Sequence, residues 1–319
     1  MLRARLALAA ALLLGAPATA SSPDPVQRLD DHTILVPGGV EPGRQPDGNS
    51  VLIEGSGGLI LVDTGRHRAH VDRLIGAAAG KPIVAVINSH WHLDHVSGNL
   101  AIRARDPQAR VYATGAIDQA LTGFLARSAQ SNREALASGK LSPGLAEDIR
   151  GDLATVARGR ELRPDIVIDR SQNLTLAGRQ LVLNVAPHAA TEADLWVYDP
   201  SAKRVLAGDL VTLPAPFLDT ACIDGWESAL AAIERTDFET LVPGHGPVMS
   251  RDEFRTWYLG FTSLVDCAGS DRPMAICAGG WLAVARRFLP PGQADDFSSM
   301  AFYYGELIRS GKLQANCPA

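Results

Sequence analysis

Residues 88–99 read NSHWHLDHVSGN, and the reading of this stretch decides the fold. Three of the chain's eight histidines, His90, His92 and His95, fall here, with Asp94 between them. The run that leads in, PIVAVINSH, is β-rich. Upstream, NSVLIEGSGGLILVDTG reads as a strand, a Gly-Ser-Gly-Gly turn and a second strand ending at Asp63-Thr64-Gly65, and residues 67–79 read as a helix. Strand, helix and strand therefore deliver the histidines into a loop at a strand end, where α/β folds keep their chemistry.

Imidazole nitrogen and carboxylate oxygen are the ligands zinc prefers, and a catalytic site leaves a coordination position for water. His90 and His92, two apart in a loop, can turn their rings onto one ion. Asp94 and His95 can face a neighbouring ion, and paired ions in such sites lie about 3.5–4 Å apart. The spacing predicts two adjacent metal sites drawn from one loop, with the remaining ligands supplied from distant strand ends.

HWHLDH at 90–95 is the HxHxDH signature, and with it the chain resembles the metallo-β-lactamase superfamily over nearly all of residues 30–250. LVDTG at 61–65 resembles that family's early strand end, LAGDL at 206–210 its strand with a bridging aspartate, and VPGHGPV at 242–248 its last ligand loop. The resemblance implies an α/β fold, the αββα sandwich with the metals at one edge of two sheets. It implies two Zn2+ ions: His90 and His92 on the first, Asp94, His95 and His245 on the second, and Asp209 bridging them. It also implies that Asp94 holds the attacking hydroxide. Asp63 reads as a support for the ligand loop or as an Asp closing a tight turn.

One ligand departs from the pattern. The family's third histidine for the first zinc lies in a segment like PGHTxGD, where this chain has VAPHAATEADLWVYD. Counting back from Asp194 puts Ala190 in that place; counting forward from LVLNVAP puts His188 there. Either the loop is rearranged and His188 binds, or the ligand is missing and one ion at the second site suffices.

Outward from this centre, Ile117, Leu121, Phe124 and Leu125, then Leu145, Ile149, Leu153 and Val156, mark helix faces around the breaker SGKLSPG. They predict an inserted helical hairpin at about 115–160. Phe124 and the Pro-rich stretch TLPAPFLDTA at 212–221 either line the pocket or simply pack. Trp91 and Leu93 are expected to pack under the loop, and Gly98 and Asn99 to punctuate it. His32, His67 and His70 read as solvated surface residues. Ser250 with Glu253 forms a capping box that opens a helix with a stripe at Phe254, Trp257, Tyr258, Phe261 and Leu264. Two further helical patterns follow, so residues 251–319 form a helical C-terminal extension to a hydrolase domain at 21–250.

The N-terminus, MLRARLALAAALLLGAPATA, has a positive start, an apolar run too short to span a bilayer comfortably and an Ala-Thr-Ala site. It is expected to be a signal peptide, residues 1–20, cut before Ser21, giving a periplasmic or secreted protein with no membrane attachment. Four cysteines remain, none in a CxxC pair. In an oxidising compartment they suggest two disulfides. Cys267–Cys277, which bracket a turn-rich link, are the preferred pair, leaving Cys222–Cys317; buried free thiols are the alternative.

The formal net charge is −5 and there is no basic run, which argues against nucleic acid as partner. The expected function is a secreted zinc hydrolase acting on a small-molecule ester, lactone, thioester or amide, β-lactams included. Phosphorus and sulfur esters rank lower. Export argues against a cytosolic glutathione thioester. An acid stands where His92 is in the superfamily's iron-based electron-transfer branch, which argues against that branch. The alternative is a metal-containing binding protein whose first metal site is incomplete and inactive.

Overall fold

Strand β4 (Gly58–Val62) shows how the sequence builds layers. Ile60 and Val62 face the space between two sheets, whereas Leu59 and Leu61 pack outward with Val71 and Leu74 of helix α1 (Arg68–Ala77). A strand covered on both faces needs apolar residues at every position, which is why such strands read as unbroken hydrophobic runs. The computed structural model describes residues 25–41 and 43–318, so the expected signal peptide lies outside the described residues.

The first sheet holds seven strands in chain order: β1 (Gln27–Arg28), β2 (Thr33–Val36), β3 (Ser50–Gly55), β4, β5 (Ile83–Ile87), β6 (Arg110–Ala113) and β7 (Ile166–Val167). It is antiparallel up to β4 and parallel from β4 to β7. Helix α1 crosses from β4 to β5; α2 (Leu93–Val96) and α3 (Asn99–Arg105) follow β5. Between β6 and β7 come α4 (Ala116–Thr122), α5 (Phe124–Ala137) and α6 (Pro143–Ala157). The insertion is thus three helices: α5 and α6 form the expected hairpin, and α4 is split from α5 at Gly123.

The second sheet runs β13-β12-β11-β10-β9-β8, from β8 (Gln172–Leu176), β9 (Arg179–Pro187), β10 (Ala193–Asp199), β11 (Arg204–Thr212), β12 (Thr240–His245) and β13 (Met249–Ser250). Helix α7 (Ile223–Glu234) carries the chain from β11 to the parallel β12. Leu35, Ile53, Ile60 and Ile87 of one sheet meet Leu183, Leu195, Val197 and Leu206 of the other. Outside the second sheet, Val205, Ala207 and Val211 pack against α7 and the C-terminal helices. The order is helix, sheet, sheet, helix: the expected αββα sandwich.

The C-terminal helices are α8 (Arg251–Ala268), α9 (Met274–Ala285) and α10 (Ser298–Arg309). The Ser250–Glu253 capping box is formed, and Phe254, Trp257, Phe261 and Leu264 are buried. Trp226, Trp257 and Trp281 are almost fully enclosed, and truncating such a side chain to Ala typically costs about 3–5 kcal/mol. Both disulfides, Cys267–Cys277 and Cys222–Cys317, are formed in the preferred pairing. No helix among the described residues is long and apolar enough to cross a membrane.

The parallel pairs β4–β5 and β11–β12 end at one edge of the sandwich, and cross-sheet bonds tie that edge together. Leu195 N–H donates to the Ser89 carbonyl at 2.6 Å, and Asn49 N–H to the Gly244 carbonyl at 2.7 Å.

Candidate metal centre

Six of the expected ligands converge at this edge as two buried groups, His90–His92–Asp209 and Asp94–His95–His245, the ligand atoms of each lying within 4.8 Å of one another. Asp209 faces both. Its Oδ2 is 3.7 Å from His90 Nε2, and its Oδ1 is 3.2 Å from His95 Nε2 and 3.5 Å from His245 Nε2. In the second group, His245 Nε2 is 3.1 Å from Asp94 Oδ2 and 3.3 Å from His95 Nε2. Close packing of backbone makes room: a Cβ on Gly48 would fall 2.4 Å from the His95 ring, and one on Gly244 would fall 2.0 Å from Asp209 Oδ1.

Neighbouring side chains choose which nitrogen each histidine offers. Asp63 accepts three bonds, from Ser89 N–H at 2.7 Å, the Ser89 hydroxyl at 2.6 Å and His95 Nδ1–H at 2.8 Å. Ser89 Oγ, having given its hydrogen to Asp63, accepts from His90 Nδ1 at 2.9 Å. Both Nε2 lone pairs are thereby left facing the centre, the arrangement by which carboxylates orient metal-ligating imidazoles. Asp63 takes φ 57° at the end of β4, and its carboxylate bonds go to Ser89 and His95, as the support reading expects.

The Thr220 hydroxyl donates to the Ala190 carbonyl at 2.8 Å and sits 3.2 Å from His92 Nε2. A His92 that donates through Nε2 carries its lone pair on Nδ1.

The electrostatics fit a cation. His90 Nε2 is buried without a hydrogen bond, and such an orphaned atom is costly unless something pairs with it. Burial, helped by His95 and His92, pushes the His90 imidazole well below its usual range, and burial brings His92 down to about 4. Burial also pulls on His95, but Asp209, Asp63 and Asp94 outweigh it and hold that ring well above its ordinary value; Asp209 and Asp94 do the same for His245. Against burial, His95, His245 and Arg66 hold Asp94 well below the carboxylate range, and His245, His95 and His90 do so for Asp209. A metal ion would compete with protons for the ring nitrogens of His95 and His245.

His188 joins neither group. It turns at φ 48°, its N–H donates to the Glu192 carbonyl at 2.9 Å, and its own carbonyl lies 1.8 Å from where a Gly225 Cβ would stand. The turn is held against the start of α7, and the Thr191 N–H and hydroxyl fasten it to Asp194 at 3.0 and 3.1 Å. Buried Ala189 and Ala190 follow and offer no side-chain donor, and the Ala190 carbonyl accepts from the Thr220 hydroxyl.

Other expectations need correction. His70 is buried and shares a 2.9 Å hydrogen bond with Ser50 Oγ. His67 is half-buried, with Nδ1 2.8 Å from Asp47 and Nε2 3.0 Å from Asp148, so neither is a solvated residue. Asn99 is fully buried and exchanges side-chain hydrogen bonds with Asn88 and Thr64 beneath the loop. Trp91 packs there as expected, its indole donating to Glu192 at 2.7 Å.

Arg66, which sequence reading passed over, lies 3.6 Å from Asp94 and grips Asp152 of α6 through Nη1 at 2.5 and 2.6 Å. Asp148 and Asp152, buried one turn apart on α6, were the available signal: buried acids need cationic partners. On the other side of the centre, Phe217 sits edge-on to His92 at 5.1 Å, with Phe124 near both Phe217 and Trp91. Phe124 and Phe217 are each partly exposed.

Residues 43–245 match the family model of the Metallo-beta-lactamase superfamily, and the chain belongs to that superfamily. It is 29% identical over 177 residues to an (R)-specific secondary-alkylsulfatase of Pseudomonas sp, covering 50% of this chain and 27% of that protein. It is 27% identical over 225 residues to a linear primary-alkylsulfatase of Pseudomonas sp. (strain ATCC 19151), covering 63% of this chain and 42% of the other. The matched segments are thus less than half of those relatives' own lengths. Among solved structures, a metallo-beta-lactamase from Pontibacter korlensis superposes with TM-score 0.52 at 18% identity, covering 72% of this chain and 95% of that one. A stereoselective inverting sec-alkylsulfatase from Pseudomonas sp. superposes with TM-score 0.56 at 19% identity, covering 92% of this chain and 52% of that one. Coverage that high reaches into residues 251–319, so the fold likeness to the alkylsulfatase extends beyond the sandwich.

Proposed function

We propose that the protein is a zinc-dependent hydrolase that cleaves an ester bond in a small molecule carrying an apolar arm, with alkyl sulfates the first class to test. The observation that carries this reading is Asp209, one oxygen toward each ligand group. Ions held at both groups would supply a water molecule acidified to a pKa of about 7 and Lewis acidity toward the substrate oxygen. The chain's own residues do the rest. Asp94 Oδ2, facing His245, is placed to accept a hydrogen bond from the attacking water and fix its direction. Asp63 keeps His90 and His95 in the tautomers that present Nε2. Phe217 and Phe124 form an apolar wall beside His92 for the alkyl or aryl part of the substrate. The alkylsulfatase relatives agree with an ester of an apolar alcohol and move sulfate esters ahead of the carbonyl substrates that the sequence alone favours.

The test is a panel of linear and secondary alkyl sulfates, aryl carboxylic esters, lactones and a chromogenic cephalosporin, run on zinc-loaded protein. Turnover of an ester that chelation abolishes and zinc restores supports the reading. Full zinc occupancy without turnover of any class contradicts it and favours the metal-containing binding protein.

We also propose that the chain works outside the cytosol, in the periplasm or medium. The signal-like residues 1–20 and the two disulfides support this, since disulfides persist in oxidising compartments. Fractionation of the native host tests it; intact N-terminal sequence in the cytosolic fraction would contradict it.

A further inference from the structure

The segment 213–222 carries Phe217 and Thr220, which touch His92 from outside the ligand loops. The family match ends at residue 245, yet the side chains that anchor this segment come from beyond it. Trp281 Nε1–H of α9 donates to the Pro214 carbonyl at 2.9 Å. Tyr303 and Tyr304 of α10 both donate to the Asp219 carboxylate, at 2.8 and 3.2 Å. Burial and Asp219 raise the Tyr303 phenol to about 12, so it remains a donor at neutral pH. Asn316 Nδ2 donates to the Ala221 carbonyl at 3.0 Å and lies 3.4 Å from that of Asp219. Tyr304 also meets the Phe217 ring at 6.1 Å. Cys317 then closes the strap covalently on Cys222, 95 residues away in sequence, the long-loop regime in which a cross-link constrains the chain most.

A helical cap that only buried apolar surface would not need polar anchors at Pro214, Asp219 and Ala221 and a disulfide at Cys222, all within nine residues of chain. Resting on the two-metal reading above, we infer that the C-terminal extension is a positioning element of the metal centre. α10 and the tail hold segment 213–222 so that Thr220 fixes the His92 tautomer and Phe217 walls the substrate pocket. Thr220 is the positioning residue, acting through His92. Its hydroxyl, fixed on the Ala190 carbonyl, takes the Nε2 hydrogen and leaves Nδ1 for the first metal position.

The test uses the full chain, stripped by chelation and titrated with Co2+, followed by calorimetry and visible absorption. Deuterium exchange of residues 213–222 is read in parallel. Cys317→Ser and the double variant Tyr303→Phe/Tyr304→Phe, which keeps both rings, should each speed that exchange. Each should also weaken one of two Co2+ binding steps by about 10-fold, the size of effect typical of residues that orient metal ligands, with the other step unchanged. Thr220→Val should weaken the same step, and Thr220→Ser should restore it. Cys267→Ser/Cys277→Ser, which removes only the other disulfide, should keep wild-type exchange and binding. The inference is overturned if the folded strap variants keep wild-type exchange and wild-type Co2+ isotherms, or if both steps weaken together. If the wild type takes up no Co2+, the two-metal reading fails, and exchange alone decides the strap: faster in the variants supports it, unchanged overturns it.

Discussion

Asp94, His95 and His245 stand among carboxylates, with Asp209 within reach and Asp63 on the far nitrogen of His95, and the Arg66 guanidinium lies behind Asp94. His90 and His92, from the same loop, are grouped with Asp209, whose other oxygen is 3.7 Å from His90 Nε2, and their hydrogen-bond partners are two hydroxyls, Ser89 and Thr220. The second group raises the proton affinity of its imidazoles, and the first group lowers it. Since a metal competes with protons for the same lone pairs, the two positions differ in what binding costs. The second must shed protons but gains a strongly anionic surround. The first is already deprotonated but has fewer charges to offer. A single loop can thus produce a tight position and a loose one, the difference lying in what stands behind each ligand.

Removing the shared oxygen pair should have the largest effect. Asp209→Ala is expected to weaken both metal steps and to cut hydrolysis by more than about 100-fold, since losses of 10–100-fold are already typical for residues one shell further out. Retention of one wild-type step in calorimetry would show that Asp209 serves one group only. Asp63→Asn should sharpen the contrast: it loses the acceptor for His95 and should weaken the tighter step by about 10–100-fold, with a smaller effect relayed through Ser89 to His90. A larger effect on the looser step would reverse the assignment. Asp152→Ala takes the nearest carboxylate from Arg66, leaving it Asp94 at 3.6 Å and the Pro46 carbonyl, and breaking a buried pair of this kind should cost about 3 kcal/mol in chemical denaturation. Unchanged stability would mean that solvent compensates Arg66. His188→Ala lies at the small end: metal count by elemental analysis should equal wild type, and loss of an ion would place His188 back among the ligands.

What could be read in the sequence followed from spacing along single elements. The strand-end position of HWHLDH, the apolar run that became β4 and the α8 cap are local patterns, and each appears in the fold where the pattern put it. The disulfide pairing emerged from the turn-rich link between Cys267 and Cys277. What could not be read depends on residues distant in sequence meeting in space. His67 and His70 look solvated until Asp47, Asp148 and Ser50 arrive from other elements. Arg66 has no motif, and its partner Asp152 lies 86 residues on. The two registers that left His188 and Ala190 in competition share a turn whose positive φ and contact with Gly225 are tertiary facts. Thr220 was legible only as part of a Pro-rich stretch; its role depends on the loop returning to His92.

The most direct measurement is stepwise Zn2+ titration of chelator-stripped protein by calorimetry at pH 7, for the wild type and for His245→Ala. The account predicts two steps of unequal affinity in the wild type, with the tighter one accompanied by proton release, and loss of that tighter step alone in His245→Ala. A single step, two equal steps, or loss of the weaker step in the variant would contradict it.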